Sequence, residues 1–142
     1  MKTKTLIALG VVMLFLCTTQ NKANATVIWG ADTNVNFPFL GYFLDHTYTC
    51  VGSTSYCYAL PEDSSKSGGD VNVVGQATTS EANQAKYVGE NCAATMEYGE
   101  DGVCHQHSNR VLAEADLLLD GSTIDGYSIS VYFFGIYGAC AY

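Results

Sequence analysis

Positive charge is the scarcest property of this 142-residue chain, which carries six Lys and Arg against fourteen Asp and Glu, for a formal net charge of −8. Three of the six bases (Lys2, Lys4 and Lys22) fall in the first 25 residues. From residue 26 onward only Lys66, Lys86 and Arg110 remain against all fourteen acids, a net charge near −11. Such a surface repels phosphate backbones and anionic lipid, which argues against nucleic-acid and membrane-surface roles. Long apolar runs are also lacking. Leu6–Cys17 is the one sustained stretch, too short to span a bilayer comfortably, and no other is longer. There is no internal repeat and no CxxC pair, and the chain has only three histidines. That leaves little from which to build a zinc site. Cys104, His105 and His107 cannot share one helical face, so no metal and no cofactor is expected.

The first 25 residues read as a secretory signal: a basic start, a short apolar run, and Ala23-Asn24-Ala25 as the small-x-small cleavage pattern. Residues 26–142 then form one domain with room for a single core, expected to be secreted or periplasmic, where disulfides persist. Five cysteines remain: Cys50, Cys57, Cys92, Cys104 and Cys140. An odd number leaves one thiol free or paired with another chain. Cys50 and Cys57 flank a hairpin turn at the separation of a cross-strand bridge. If those two pair, Cys92 with Cys140 is the second bridge that topology favours, leaving Cys104 free, among fifteen ways to place two bridges on five cysteines.

Residues 37–51 alternate as a strand. Gly52 to Ser55 reads as a turn, and residues 56–60 as the returning strand. Residues 61–70 read as a mobile polar loop, and residues 71–75 as a further short strand. Two short helical candidates follow, at 79–87 and 91–98. The clearest helical pattern runs from Val103 to Leu119, with Cys104, Ser108, Val111, Leu112, Ala115, Leu118 and Leu119 on one stripe. Residues 127–134 alternate again and predict a strand, before a Gly-punctuated tail. The expected fold is α+β, a small antiparallel sheet packed against one long helix and stabilised by disulfides.

Cys104 heads that helix. A thiol attacks carbonyl carbon as the thiolate, and unpaired amides at a helix start lower its pKa and can bind the oxyanion of a tetrahedral intermediate. An imidazole must complete the activation. His105 diverges from Cys104 by about 100° on a helix, and His107 makes a strained one-turn contact. His46, on the predicted strand face with Tyr42, Leu44 and Tyr48, is therefore the candidate base. Glu62 and Asp63 are candidates to orient it.

A cysteine heading a long helix packed on a histidine-bearing sheet resembles papain-like cysteine hydrolases. With His46 before Cys104, it is similar to their circularly permuted branch, which includes the lecithin:retinol acyltransferase-like proteins. The resemblance covers roughly residues 40–134. It implies Cys104 as nucleophile and His46 as base in a cysteine-dependent hydrolase or acyltransferase. The bond attacked would be an amide, ester or thioester, such as a peptide or cell-wall amide. Cys92, in Asn91-Cys92-Ala93-Ala94, is similar to the Asn-Cys helix start of that branch and is a rival nucleophile, though it lacks the charged and His residues that normally follow. The alternative is a secreted, disulfide-stabilised binding module that contacts a protein partner through tyrosines, with Tyr42, Tyr48, Tyr56 and Tyr58 on adjacent strands. In a third possibility, Cys104 joins two chains.

Overall fold

A computed structural model describes residues 25–34 and 45–141. The expected signal segment, up to Asn24, and the stretch that includes Tyr42 and the start of the expected first strand lie outside the described residues. Four strands form one antiparallel sheet: β1 (Thr26–Asn34), β2 (Asp45–Val51), β3 (Ser53–Ala59) and β4 (Asp70–Ala77), in the order β3-β2-β1-β4. Three helices follow among the described residues: α1 (Thr79–Thr95), α2 (Cys104–Ala113) and α3 (Tyr127–Phe134). The fold is α+β, as expected. None of the described helices is long and apolar enough to cross a membrane.

The β2–β3 hairpin turns at Gly52 alone, whose φ of +80° suits glycine, and this sets Cys50 opposite Cys57. Their Cα atoms are 4.0 Å apart and the two are disulfide-bonded. Cys92 bonds Cys140 with a Cα separation of 5.5 Å, and Cys104 is the described cysteine left free. Helix α1 opens with a capping box: Thr78 Oγ1 accepts from the Glu81 amide at 3.3 Å, and Glu81 Oε2 accepts from the Thr78 amide at 2.6 Å. Its stripe of Ala82, Ala85, Val88, Gly89 and Cys92 is buried. These small side chains let α1 lie close to the sheet. A Cβ on Gly89 would stand 2.4 Å from Cγ of Tyr58.

The two sheet faces carry separate apolar clusters. Ile28 and Val51 join Val88, Val111, Leu112 and Leu119 in the main core beneath the helices. Ala31, Tyr48, Cys50 and Ala59 form a smaller cluster on the other face, edged by Trp29 and Cys57.

Several expectations from the sequence differ from this architecture, beginning with the Gly52–Ser55 turn, since Ser53 to Ser55 belong to β3. The two short helices expected at 79–87 and 91–98 are one 17-residue helix, α1, which is the longest. The helix expected over Val103–Leu119 ends at Ala113. Asp116 then turns through φ 55°, and Leu117 N–H bonds back to the Leu112 carbonyl, so Leu117 and Leu119 reach the core from a loop. Residues 127–134 form a helix in place of a strand, bounded by Gly126 at φ 82° and Gly135 at φ 70°. Strand β1, central to the sheet, had no counterpart in the sequence reading.

Candidate functional site

Helix α2 begins Cys104-His105-Gln106-His107-Ser108-Asn109, and all six residues are buried. A buried polar side chain must find partners or lose about 1–3 kcal/mol, so the destinations of these groups define the site. Gln106 Oε1 accepts from the Val103 amide at 3.2 Å, closing the helix start. Its Nε2 donates to the Gly135 carbonyl at 2.9 Å and to Ser130 Oγ at 3.2 Å. Asn109 Nδ2 donates to the Ile136 carbonyl at 3.0 Å and to the Tyr127 hydroxyl at 2.9 Å, while its Oδ1 accepts from the Leu119 amide at 3.1 Å. Arg110 donates from Nε to the Tyr137 carbonyl and from Nη2 to the Gly138 carbonyl, both at 3.0 Å. Four consecutive carbonyls, from Gly135 to Gly138, are thus held by three side chains of one helix. The Cys92–Cys140 bridge fastens the same tail two residues later.

His105 ties α2 to both neighbours. Its Nε2 donates to the Asp45 carbonyl at 2.9 Å, which makes Nδ1 the acceptor side, 2.9 Å from the Ser130 hydroxyl. Burial, first of all, lowers the His105 pKa, with the Asp45 carbonyl and charge acting against it. His107 donates from Nε2 to the Gly89 carbonyl at 3.1 Å, and its Nδ1 has no partner. Burial pushes its pKa down to about 4. Asp45 anchors the far end of the network. Its amide donates to the Asp125 carbonyl at 3.0 Å, and its Oδ2 accepts from the Asp125 amide at 2.8 Å.

Cys104 sits at the start of α2, as the sequence reading placed it, and is only 4% exposed. Its thiol points at the Asp45 carbonyl, 3.9 Å away. Burial raises its pKa; the amide and hydroxyl of Thr47 and the amides of His105 and Cys104 itself pull the other way without overcoming it. The structure does not bring His46 to this thiol. Successive strand residues face opposite sides of a sheet. Thr49 Oγ1 donates to the Ser108 carbonyl, which puts Thr47, Thr49 and Val51 on the α2 side. His46 therefore shares the opposite face with Tyr48 and Cys50. There His46 Nε2 donates to the Ser65 carbonyl at 3.0 Å, and the Tyr48 hydroxyl to the Gly68 carbonyl at 2.6 Å. Both side chains pin the 61–69 loop, and burial lowers the His46 pKa. Glu62 and Asp63 are exposed in that loop. The disulfide removes Cys92 as a thiol.

Among the described residues, Tyr48, Tyr56 and Tyr58 do not form the expected patch. Tyr48 and Tyr58 are buried, and burial with the nearby Glu90 pushes the Tyr58 hydroxyl up to about 12. Tyr56 is exposed under the Lys86 ammonium, 3.9 Å from its ring centre. Among the described residues no cluster of three or more His, Cys, Asp or Glu is placed to hold a metal.

Besides Val71 and Val74 on β4, a run of exposed apolar residues lies at α3, and sequence reasoning missed it. Helix α3 is inside out. Its buried residue is Ser130, whereas Ile129, Tyr132 and Phe133 are 62%, 84% and 70% exposed. Ile136 and Tyr137, just beyond the helix, extend the exposed face. Tyr132 and Phe133 meet edge to face at 5.3 Å. With ~150–250 Å² per aromatic side chain, these two alone leave on the order of 300 Å² of ring surface in water. The signal was present in the sequence: no charged residue occurs from Gly126 to Tyr142, and residues 129, 132, 133 and 136 have helical spacing.

No protein-family model, no curated protein and no solved structure matches this chain.

Proposed function

We propose that this protein is an extracytoplasmic, disulfide-stabilised binding module, whose contact face is the outward side of α3 and the tail that follows it. One observation carries the proposal: an apolar face is held in water by a dedicated polar apparatus. An isolated helix of eight residues does not persist in solution. Gln106, Asn109 and Arg110 fix the tail by its carbonyls, His105 and Gln106 reach Ser130, and a disulfide locks the end. Large exposed apolar patches on small proteins mark contact sites, and rigid presentation lowers the entropy cost of binding. The occupant is a protein or peptide with an apolar face of its own. The two disulfides are compatible with an oxidising compartment.

The papain-like cysteine hydrolase is the second reading. It is favoured by the free Cys104 at a helix start, with amides directed at its sulfur. Against it stand the burial of that thiol, its raised pKa, and the position of His46 on the other side of the sheet.

Two measurements on the oxidised protein separate these readings. Retention on a phenyl matrix is expected for the native protein and for Cys104→Ser, and is expected to be lost in Tyr132→Ser/Phe133→Ser with an unchanged near-ultraviolet spectrum. Iodoacetamide is expected to label Cys104 only slowly at pH 6. Fast labelling that disappears in His46→Ala would favour the hydrolase and overturn the binding module.

A further inference from the structure

The chemistry bordering the α3 face narrows the class of partner. Asp125, exposed, precedes α3 by two residues and is fastened to Asp45 by two hydrogen bonds. At the other end, the Ala139 amide donates to the Asp101 carbonyl at 2.7 Å, which brings the 97–101 turn beside the tail. That turn carries Glu97, Glu100 and Asp101, with both glutamates exposed. The Asp101 carboxylate accepts from the Glu97 amide, so its charge stays at the rim. An α-helix of eight residues is about 12 Å long. Carboxylates therefore lie at both ends of an uncharged apolar strip of roughly that length. The bases available to neutralise them are few. Arg110 is committed to the Tyr137 and Gly138 carbonyls, and Lys86 sits over the Tyr56 ring.

We infer that the α3 face binds a cationic amphipathic peptide, one whose apolar stripe covers Ile129, Tyr132, Phe133 and Ile136 while its lysines or arginines reach Asp125 at one end and Glu97 and Glu100 at the other. This rests on the binding-module reading and adds the charge of the ligand. The apolar stripe supplies the affinity, because desolvated aromatic anchors dominate small interfaces. The rim carboxylates supply selectivity and rate, because rim charges contribute mainly long-range attraction that salt weakens. A second copy of this chain would bring a second excess of carboxylates to the same rim, so like charge disfavours it as the occupant.

The test uses the purified oxidised protein and three fluorescent 18-residue helical peptides that share one leucine stripe. Their polar positions are Lys, Gln or Glu, and binding is read by anisotropy at low and at physiological salt. The Lys peptide is expected to bind about ten-fold more tightly than the Gln peptide, to lose most of that advantage in salt, and to leave the Glu peptide weakest. Phe133→Ser is expected to weaken it about 30-fold, a typical loss for a central aromatic anchor. Glu97→Gln/Glu100→Gln/Asp125→Asn is expected to bring the Lys and Gln peptides level without changing the thermal melt. Equal binding of the Lys and Gln peptides to the native protein would overturn the cationic preference and leave the binding module standing. Binding of the Lys peptide that survives Tyr132→Ser/Phe133→Ser, or no binding by any peptide, would overturn the assignment of this face. So would sedimentation as a dimer that Phe133→Ser dissociates.

Discussion

Acid should weaken this fold through one buried ring. His107 is fully enclosed, its Nε2–H is spent on the Gly89 carbonyl, and its Nδ1 has no partner. Protonation there would bury a charge and a second donor without an acceptor, which is why the pKa falls from 6.5 to about 4. The folded pKa lies below the unfolded one. As the pH drops, the unfolded chain takes up this proton first. The stability is therefore whole above pH 6.5, is lost between there and about 4, and is level again below. The span of about 2.5 pH units, at about 1.4 kcal/mol each, is a loss on the order of 3 kcal/mol. His105 and His46, also lowered, add to it in the same direction. Carboxylates titrate toward the lower end of this range and relieve repulsion in a chain this acidic, so the wild-type curve alone mixes signs. His107→Gln keeps a donor for the Gly89 carbonyl and cannot titrate. The measurement is the urea midpoint of both proteins across the range. On falling from pH 7 to about 4.5, the wild type should lose about 1–2 M more than the variant, given an m-value of ~1–3 kcal/mol/M. Parallel curves would refute the buried, half-partnered ring as the cause.

Two further outcomes follow from the same packing. Asn109→Ala removes three hydrogen bonds and leaves the Leu119 amide and the Ile136 carbonyl unmet. That is a cost of about 3–4 kcal/mol and a melting point lower by ~12–20 °C, and a shift of only a few degrees in a thermal melt would refute it. Gly89→Ala, which normally stabilises a helix by about 0.5–1 kcal/mol, should here destabilise by about 1–3 kcal/mol, because the new methyl strikes the Tyr58 ring. A higher denaturant midpoint for this variant would show that α1 does not lie so close to β3.

The parts of the fold set by local chemistry were legible in the sequence. The Cys50–Cys57 bridge was legible, because the two cysteines flank a hairpin turn, whereas Cys92–Cys140, one of several pairings the sequence left open, is settled by the fold. The start of α2 was also placed correctly, because the helical pattern begins there. The elements that tertiary partners decide were not. Ser128, Ile129, Ser130, Val131 and Tyr132 alternate as a strand does, and β-branched and aromatic residues favour strands. Yet Ser130 is needed by His105 and Gln106, and the helix forms around that contact. The stretch from Cys104 to Asn109 looked like chemistry because its residues are those of active sites. In the structure His105, Gln106, His107 and Asn109 are occupied in holding other parts of the chain, while the Ser108 hydroxyl has no partner. His46 was assigned to the correct strand. Its face depended on how β2 sits between β1 and β3, and no short-range pattern fixes that.

The carbonyl ladder also sets an order of assembly. Helix α2 brings five polar residues, His105 to Asn109, into the interior with Arg110 half-buried beside them, and several of their partners lie 24 to 29 positions further along, between Ser130 and Gly138. Until that stretch has left the ribosome and found its place, closing the core over α2 would strand amides, imidazoles and a guanidinium away from water. The hydrophobic side of the molecule can gather early, but the polar side cannot. The polar side of α2 can therefore close only once residues 127–140 are in place, which makes the last part of the chain to be synthesised the part that completes the interior.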